Sequence, residues 1–581
     1  MLAAVTATAV VGGSAGAQSA SPSPEPKLTF TIGVTSDLNS ANPFRQLDTY
    51  EAFVGGLMYD SLITRDQRDY TPVGELAERW DTSDDGLTWT FHLRDGLRWS
   101  DGVPITAHDF VWTGNFIVDN DISSWSDGYR FTESITAPDD RTIVWRTTRP
   151  TLIPGLPGYN LILPEHVWGG FTVKELKSFK NFPDAVISGS YNLVEWNQGE
   201  YWTMDANPDY WQGAPTVDRY VFRVYNSNES VVQALLKGAI DHTVVPTAAL
   251  FDAIRDQPNI GSAIVGANGF WQMSFNLADD PSSTADPAVL DPAFRRAVAW
   301  AIDKQTLVDR VTRGYATPGV TPVVPLYGWN WEPPRDEAVG FDPAEANRLL
   351  DEAGYRDTDG DGIRENPGGG DDIDLRLYTS SVDPDGIKAA AFIGAWLRWL
   401  GIGSSQRSMT DSKLYDLWYS FDWDLIIYSW GVTPDPDFIL SSFTSGQCGF
   451  WSDTCYANPE YDRLYKQQQT TLDPDERALI VDEMQQIIYR DTPEIVLWYA
   501  NWFEAWRADR WTGFVRWPEP DGSVLWENYY SARVVRPCRT QPVSQPESGP
   551  AGWMWLVGMG LVAIAIVLAA ARRRRLDTYY A

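Results

Sequence analysis

The chain has 581 residues, 43% of them hydrophobic and 21% charged, which suits a large globular body and excludes a disordered one. Its formal charge of −32 repels phosphate backbones and excludes nucleic acid as a natural partner. The 28 Trp, 26 Tyr and 23 Phe supply either core packing or stacking walls for a ligand.

Residues 1–17 are small, apolar and uncharged and end in Ala15-Gly16-Ala17, the pattern of a signal-peptide core and cleavage site. A Pro/Ser-rich linker, 18–27, follows. KLTFTIGV, from Lys27, alternates like a strand, and 60–64 and 88–93 read as further strands. LTWTFHLRDG predicts a hairpin at Asp95-Gly96, and Thr106 is placed to cap a helix over 107–115. Strands are expected at 142–146, 191–196, 201–205, 218–224, 373–378, 423–430 and 495–500. Helices are expected at 230–237, 292–313, 343–353, 388–400 and 474–489. This mixture throughout the chain predicts an α/β fold.

The stretch 536–551 holds the Pro-rich RTQPVSQPESGPA and reads as a stalk. GWMWLVGMGLVAIAIVLAAA, 552–571, is uncharged and long enough to span a bilayer as a single transmembrane helix. Trp553 and Trp555 stand at its outer edge and Arg572 to Arg575 follow it, so 572–581 is a cytoplasmic tail and the body faces out. The expected location is the cell surface or periplasm, exported and anchored through that helix.

Outside the cell Cys448 and Cys455, seven residues apart in QCGFWSDTCY, are placed for a local disulfide, leaving Cys538 over. The four His have neither metal-ligand nor triad spacing. Gly314 to Thr321 has P-loop glycine spacing but Val320 where the lysine belongs. GxSxG at 12–16 falls in the leader and lacks a strand–turn–helix context. No catalytic constellation emerges, and the chain is expected not to be an enzyme.

Four stretches in order carry a resemblance. They are LAERWDTSDDGLTWTFHLRDGLRWSDGVPITAHDFV from Leu76, SGSYNLVEWNQGEYWTMDANPDYWQG from Ser188, FRRAVAWAIDKQTLVDRVTRG from Phe294, and 428–465 with SWGVTPDPDFILSSF and NPEYDRLY. Together they resemble the extracellular solute-binding protein family 5, which includes oligopeptide, dipeptide and nickel binders. The resemblance covers about residues 28–535. It implies a two-lobed periplasmic-binding-protein-like fold with an extra subdomain. Lobe I would span about 28–270 and 500–535, with the insertion at about 56–184, and lobe II about 271–499.

In the family, two lobes close on a ligand, and an extended peptide pairs with strands of the protein. The resemblance implies that Trp430 lines the cleft, with Asn276 near the lobe crossover. Thr433 stands where an anchoring Asp is expected for the peptide ammonium, and Asp435 and Asp437 follow in a PDPD turn. The implied role is the substrate-binding component of an ABC importer, capturing peptides and delivering them to permease and ATPase subunits as a monomer. The alternatives are an oligosaccharide-binding component, which needs no such Asp, a secreted hydrolase (glycosidase or peptidase), and a surface sensor.

Asp357, Asp359 and Asp361, with Gly362, the Ile363 carbonyl and Glu365, match the start of a DxDxDG calcium loop. The two readings are a structural calcium ion and an acidic surface turn. No cofactor is required for binding.

Overall fold

Aromatic and β-branched residues alternate in Thr29–Val34, burying Phe30, Ile32 and Val34 while Thr29 faces out. The computed structural model describes residues 27–538, apart from 46–48, 69, 121, 123–125, 130, 152–160 and 369. That strand is the middle of a seven-stranded sheet in the order Ile260–Val265, Trp502–Arg507, His242–Val245, Thr29–Val34, Arg219–Val224, Tyr201–Ala206, Tyr191–Asn197. It runs parallel to both neighbours, and the outer pairs are antiparallel.

A second, six-stranded sheet has the order Ala316–Pro318, Glu494–Ala500, Gly269–Phe275, Leu425–Gly431, Asp374–Ser380, Gly403–Met409. The chain passes from the first sheet to the second between Val265 and Gly269, and returns between Ala500 and Trp502. Each sheet belongs to one lobe of a two-lobed α/β body, with two neighbouring crossovers where a hinge is needed. A separate four-stranded antiparallel sheet, Ala77–Thr82, Thr88–Leu93, Thr142–Thr147, Thr132–Asp139, is inserted within the first lobe's sequence.

The aromatic side chains divide between the packed core and the walls of cavities. Trp99, Trp145, Trp168, Trp202, Trp423 and Trp498 are fully buried packing. Trp202 stacks on Phe222 with centroids 5.0 Å apart, worth about 0.5–1.5 kcal/mol beyond area burial. Trp430, Trp451, Trp502 and Trp517 line cavities instead.

Three expectations are corrected. The hairpin of Thr88–Leu93 closes at its other end: the strand pairs with Ala77–Thr82 across a turn in which Gly86 takes φ +66°. The Asp-Gly chemistry is the same, one turn earlier. The helix read over 292–313 is two, Pro292–Ala301 and Lys304–Arg310. Ile302 is extended, and the Asp303 carboxylate accepts the Thr306 N–H at 2.9 Å, because Asp favours a cap over a helix interior.

The third correction concerns the membrane. No helix among the described residues is long and apolar enough to cross one, so the expected transmembrane helix and its anchoring role are not supported. The 18-residue helix Pro474–Asp491 has the length but carries Asp475, Glu476 and Arg477 in its first turns. The segment 552–571 itself lies outside the described residues, as do the leader 1–17, the linker up to residue 26, the stalk beyond 538 and the tail 572–581.

Candidate functional site

The strand Leu425–Gly431 pairs with Gly269–Phe275 up to its last residue, Gly431 opposite Gly269. A Cβ at position 269 would sit 2.4 Å from the Trp430 carbonyl oxygen, so this close approach requires glycine. The Val432 N–H then donates to Asn268 O at 2.9 Å, carrying the pairing to the rim of a cavity. That cavity, of about 300 Å³, lies where the lobes meet. Val432, Thr433, Pro434 and Tyr327 line it from the second lobe, and Arg65, Tyr70 and Glu527 from the first. Val265, Asn268 and Trp502 line it from the crossovers.

Its charges are unusual in being unpaired. Arg65 Nη1 donates to Tyr70 O at 3.2 Å, and its guanidinium lies 5.6 Å from the Tyr70 ring centroid. No carboxylate is within ion-pair distance of it among the described residues, and burial lowers its pKa, opposed by the more distant charge of Asp435. Glu527 takes φ +54°, a left-handed conformation costly for a non-glycine residue. Burial pushes its carboxyl up to about 7, and no donor reaches it among the described residues. Glu75, also on the wall, accepts the Ser61 N–H at 2.8 Å, and burial raises its carboxyl too.

The residues singled out in the sequence are placed as follows. Thr433 lines the cavity, and its hydroxyl donates to Asp435 O at 2.8 Å. Asp435 is buried against Arg477, whose Nη1 and Nη2 each donate to it at 2.8 Å. Asp437 accepts from Gln468 Nε2 at 2.5 Å and Gln469 Nε2 at 3.1 Å. Asn276 is fully buried and donates to Phe421 O and Trp423 O at 2.9 and 2.8 Å, bracing the entry to the strand Leu425–Gly431. Asp435, Asp437 and Asn276 thus hold the frame of the cavity and do not line it. Trp430 lines an adjoining cavity. A disulfide joins Cys448 and Cys455.

In the acidic loop, carboxylate oxygens of Asp357, Asp359 and Asp361 lie within 4.8 Å of one another, as do those of Asp359, Glu365 and Asp372. Gly362 has φ +95°. These are hard oxygen donors, but they also accept local backbone N–H groups, Gly360 to Asp357 at 2.6 Å and Ile363 to Asp361 at 2.7 Å. None of these residues, Ile363 included, lines the cavity between the lobes. Arg65 and Glu527 were not foreseen, since no local pattern links residues so far apart in the chain. The only local hint at Glu527 is its backbone conformation, which the sequence does not display.

A two-lobed α/β body with two crossovers and a cavity at the junction is the architecture of a solute-binding protein. Residues 71–451 match the family described as "Bacterial extracellular solute-binding proteins, family 5 Middle", and the chain belongs to that family. The chain is 29% identical over 520 residues to Protein XP55 of Streptomyces lividans, covering 84% of this chain and 86% of that protein. It is 24% identical over 490 residues to the oligopeptide-binding protein AppA of Bacillus subtilis, covering 81% and 86%. Among solved structures, the periplasmic oligopeptide-binding protein of an oligopeptide ABC transporter from Thermotoga maritima superposes with a TM-score of 0.74 at 25% identity. That match covers 88% of this chain and all of the other. AppA of Bacillus subtilis in complex with a nonapeptide has the same fold, with a TM-score of 0.67 at 21% identity over 88% of this chain and 99% of AppA.

Proposed function

We propose that this chain is the substrate-binding component of an ABC importer and that its ligand is a peptide, held between the lobes and released unaltered. The observation that carries the reading is the pair of unpaired groups in the cavity, the Arg65 guanidinium and the Glu527 carboxyl. A peptide with free ends brings a carboxylate to the one and an ammonium to the other. A neutral oligosaccharide would cover both groups without bringing an opposite charge to either, which is unfavourable. Glu527 thereby takes the part that Thr433 cannot play. The oligopeptide- and dipeptide-binding relatives support the same ligand class. The permease and ATPase are the partners this reading requires. The Cys448–Cys455 disulfide supports work outside the cytoplasm.

Mass spectrometry of small molecules released from the purified protein is expected to find unmodified peptides, and recovery of only sugars or cleavage products would overturn the reading. Calorimetry supplies the second test. Arg65→Met or Glu527→Gln is expected to weaken free-ended peptides about ten- to hundredfold, the worth of about 1.5–3 kcal/mol per charged hydrogen bond. C-terminal amidation should make the first substitution nearly silent, and N-acetylation the second.

A further inference from the structure

A second cavity, of about 240 Å³, is lined by the residues of the chain just before those that line the first. Tyr428 to Gly431 line this one, and Val432 to Pro434 line the cavity between the lobes. A ligand lying along that segment reaches both.

The walls of the second cavity are rings. Tyr415 and Trp418 come from the helix Asp411–Ser420, Tyr428 and Trp430 from the strand Leu425–Gly431, and Trp451 from the loop closed by the disulfide. Trp430 and Trp451 are 6.3 Å apart between centroids, and Trp418 and Tyr428 5.5 Å. Trp451 is 56% exposed, and its ring also lies 5.6 Å from that of Phe438.

Asp453 stands among these rings. Its Oδ2 accepts from Gln272 Nε2 at 2.5 Å and from Trp430 Nε1, and Trp418 Nε1 fixes its backbone carbonyl at 3.1 Å. No donor reaches Oδ1 among the described residues, and no Lys, Arg or His pairs with the group. Burial pushes this carboxyl up to about 7, and its charge adds to the burial that raises the neighbouring Glu494. Ring faces carry negative electrostatic potential, so they repel an anion and attract a cation. A carboxyl among them without a countercharge strengthens that preference. An apolar occupant would bury Oδ1 with its hydrogen bond unmade, which is unfavourable.

We propose that this cavity is a subsite for a cationic group, an ammonium or guanidinium, with Asp453 Oδ1 as its charge partner and Trp430 and Trp451 as its ring walls. The inference rests on the peptide reading above, and its occupant is then a Lys or Arg side chain of the bound peptide. The disulfide holds the loop that supplies both Trp451 and Asp453. Binding such a group requires the carboxylate form, so affinity for it falls close to tenfold per unit as pH drops below about 7. The other titratable groups around Asp453 are Glu494, whose carboxyl burial and the Asp453 charge raise, Tyr428, whose hydroxyl burial raises, and Tyr415 and Tyr419 on the cavity wall.

The test is calorimetry on the purified protein at pH 8, with alanine pentapeptides carrying one Lys moved through the positions, each matched to its norleucine counterpart. At one position Lys is expected to bind at least tenfold tighter than norleucine, with Asp453→Asn abolishing that difference and its pH dependence together; the pH dependence that Glu527 gives every free-ended peptide cancels in the comparison. Equal binding of Lys and norleucine at every position on the unmodified protein would overturn the subsite and leave the peptide reading standing. If no peptide binds at all, the peptide reading fails, and the small cation agmatine decides on the subsite. Quenching of Trp fluorescence by agmatine that Asp453→Asn removes would uphold it, and absence of quenching would overturn it.

Discussion

Replacing Arg477 by alanine is expected to destabilise the protein by about 3–5 kcal/mol, the range for removing one partner of a buried ion pair. Arg477 is fully buried on the helix Pro474–Asp491. Its two Nη groups hold both oxygens of Asp435, its Nε donates to Gln468 Oε1 at 2.9 Å, and its guanidinium lies 4.8 Å from the Trp329 ring centroid. Without it the Asp435 carboxylate keeps, among the described residues, the Asp437 N–H at 2.9 Å and the more distant charge of Arg65. Val432, Thr433 and Pro434, immediately before Asp435, line the cavity, so ligand affinity should fall with stability. Urea unfolding checks the first effect through a lower midpoint at unchanged slope. The double variant Asp435→Leu with Arg477→Met should recover much of the loss, because it removes both members of the pair together. Burial alone would raise the Asp435 carboxyl, but the Arg477 charge and its hydrogen bonds outweigh it and hold it below the usual range. This contribution is therefore fully present above the unfolded value of about 3.9 and is lost as pH falls through the lower folded value. The alanine variant should lose that part of its acid sensitivity.

How far the sequence revealed this architecture depended on how local the signal was. Thr29–Val34 and the hairpin Tyr191–Asn197 with Tyr201–Ala206 are legible because alternation and a Gln-Gly turn are adjacent in the chain. The family resemblance extended that reading to the lobes. The pairing of Asp435 is illegible, since its partner lies on another helix and is selected by packing. A PDPD turn looks the same whether its acids meet a ligand or a buried guanidinium. The same reasoning covers Asn276, whose amide braces two carbonyls of a neighbouring loop. The strands Ile260–Val265 and Trp502–Arg507, beside the crossovers, lack clean alternation, and the first contains Gly261 packed against Trp506. Arg65, Glu527 and Asp453 became candidates only through what the fold leaves unpaired around them, a property that no spacing encodes.

The second large effect is expected from Glu504→Ala, which should cost about 4 kcal/mol or more and abolish ligand binding. Glu504 is fully buried in Trp502–Arg507, just after the return crossover. It accepts from His242 Nε2 and Ser523 Oγ, each at 2.6 Å, and from the N–H groups of Val524, Leu525 and Trp526 at 2.9, 3.0 and 3.1 Å. Truncation leaves these buried donors unmatched, and each costs about 1–3 kcal/mol. The lost contacts also join the second crossover to the segment that carries Ser523, Trp526 and Glu527 into the cavity wall. Glu504→Gln is the informative companion. It keeps the volume but turns one acceptor into a donor facing N–H groups, so it should fold and melt lower, with a larger loss of affinity than Glu527→Gln alone. Burial would raise the Glu504 carboxyl, yet His242, Ser523 and the Trp526 N–H outweigh it and hold it below the usual range. Its contribution is thus complete above the unfolded value of about 4.3 and disappears as pH falls through the folded value. Thermal melts from pH 3 to 7 should show the unmodified protein losing this increment on acidification while Glu504→Gln does not. Parallel melting curves for the two would mean that this carboxylate does not tie the crossover to the wall of the cavity.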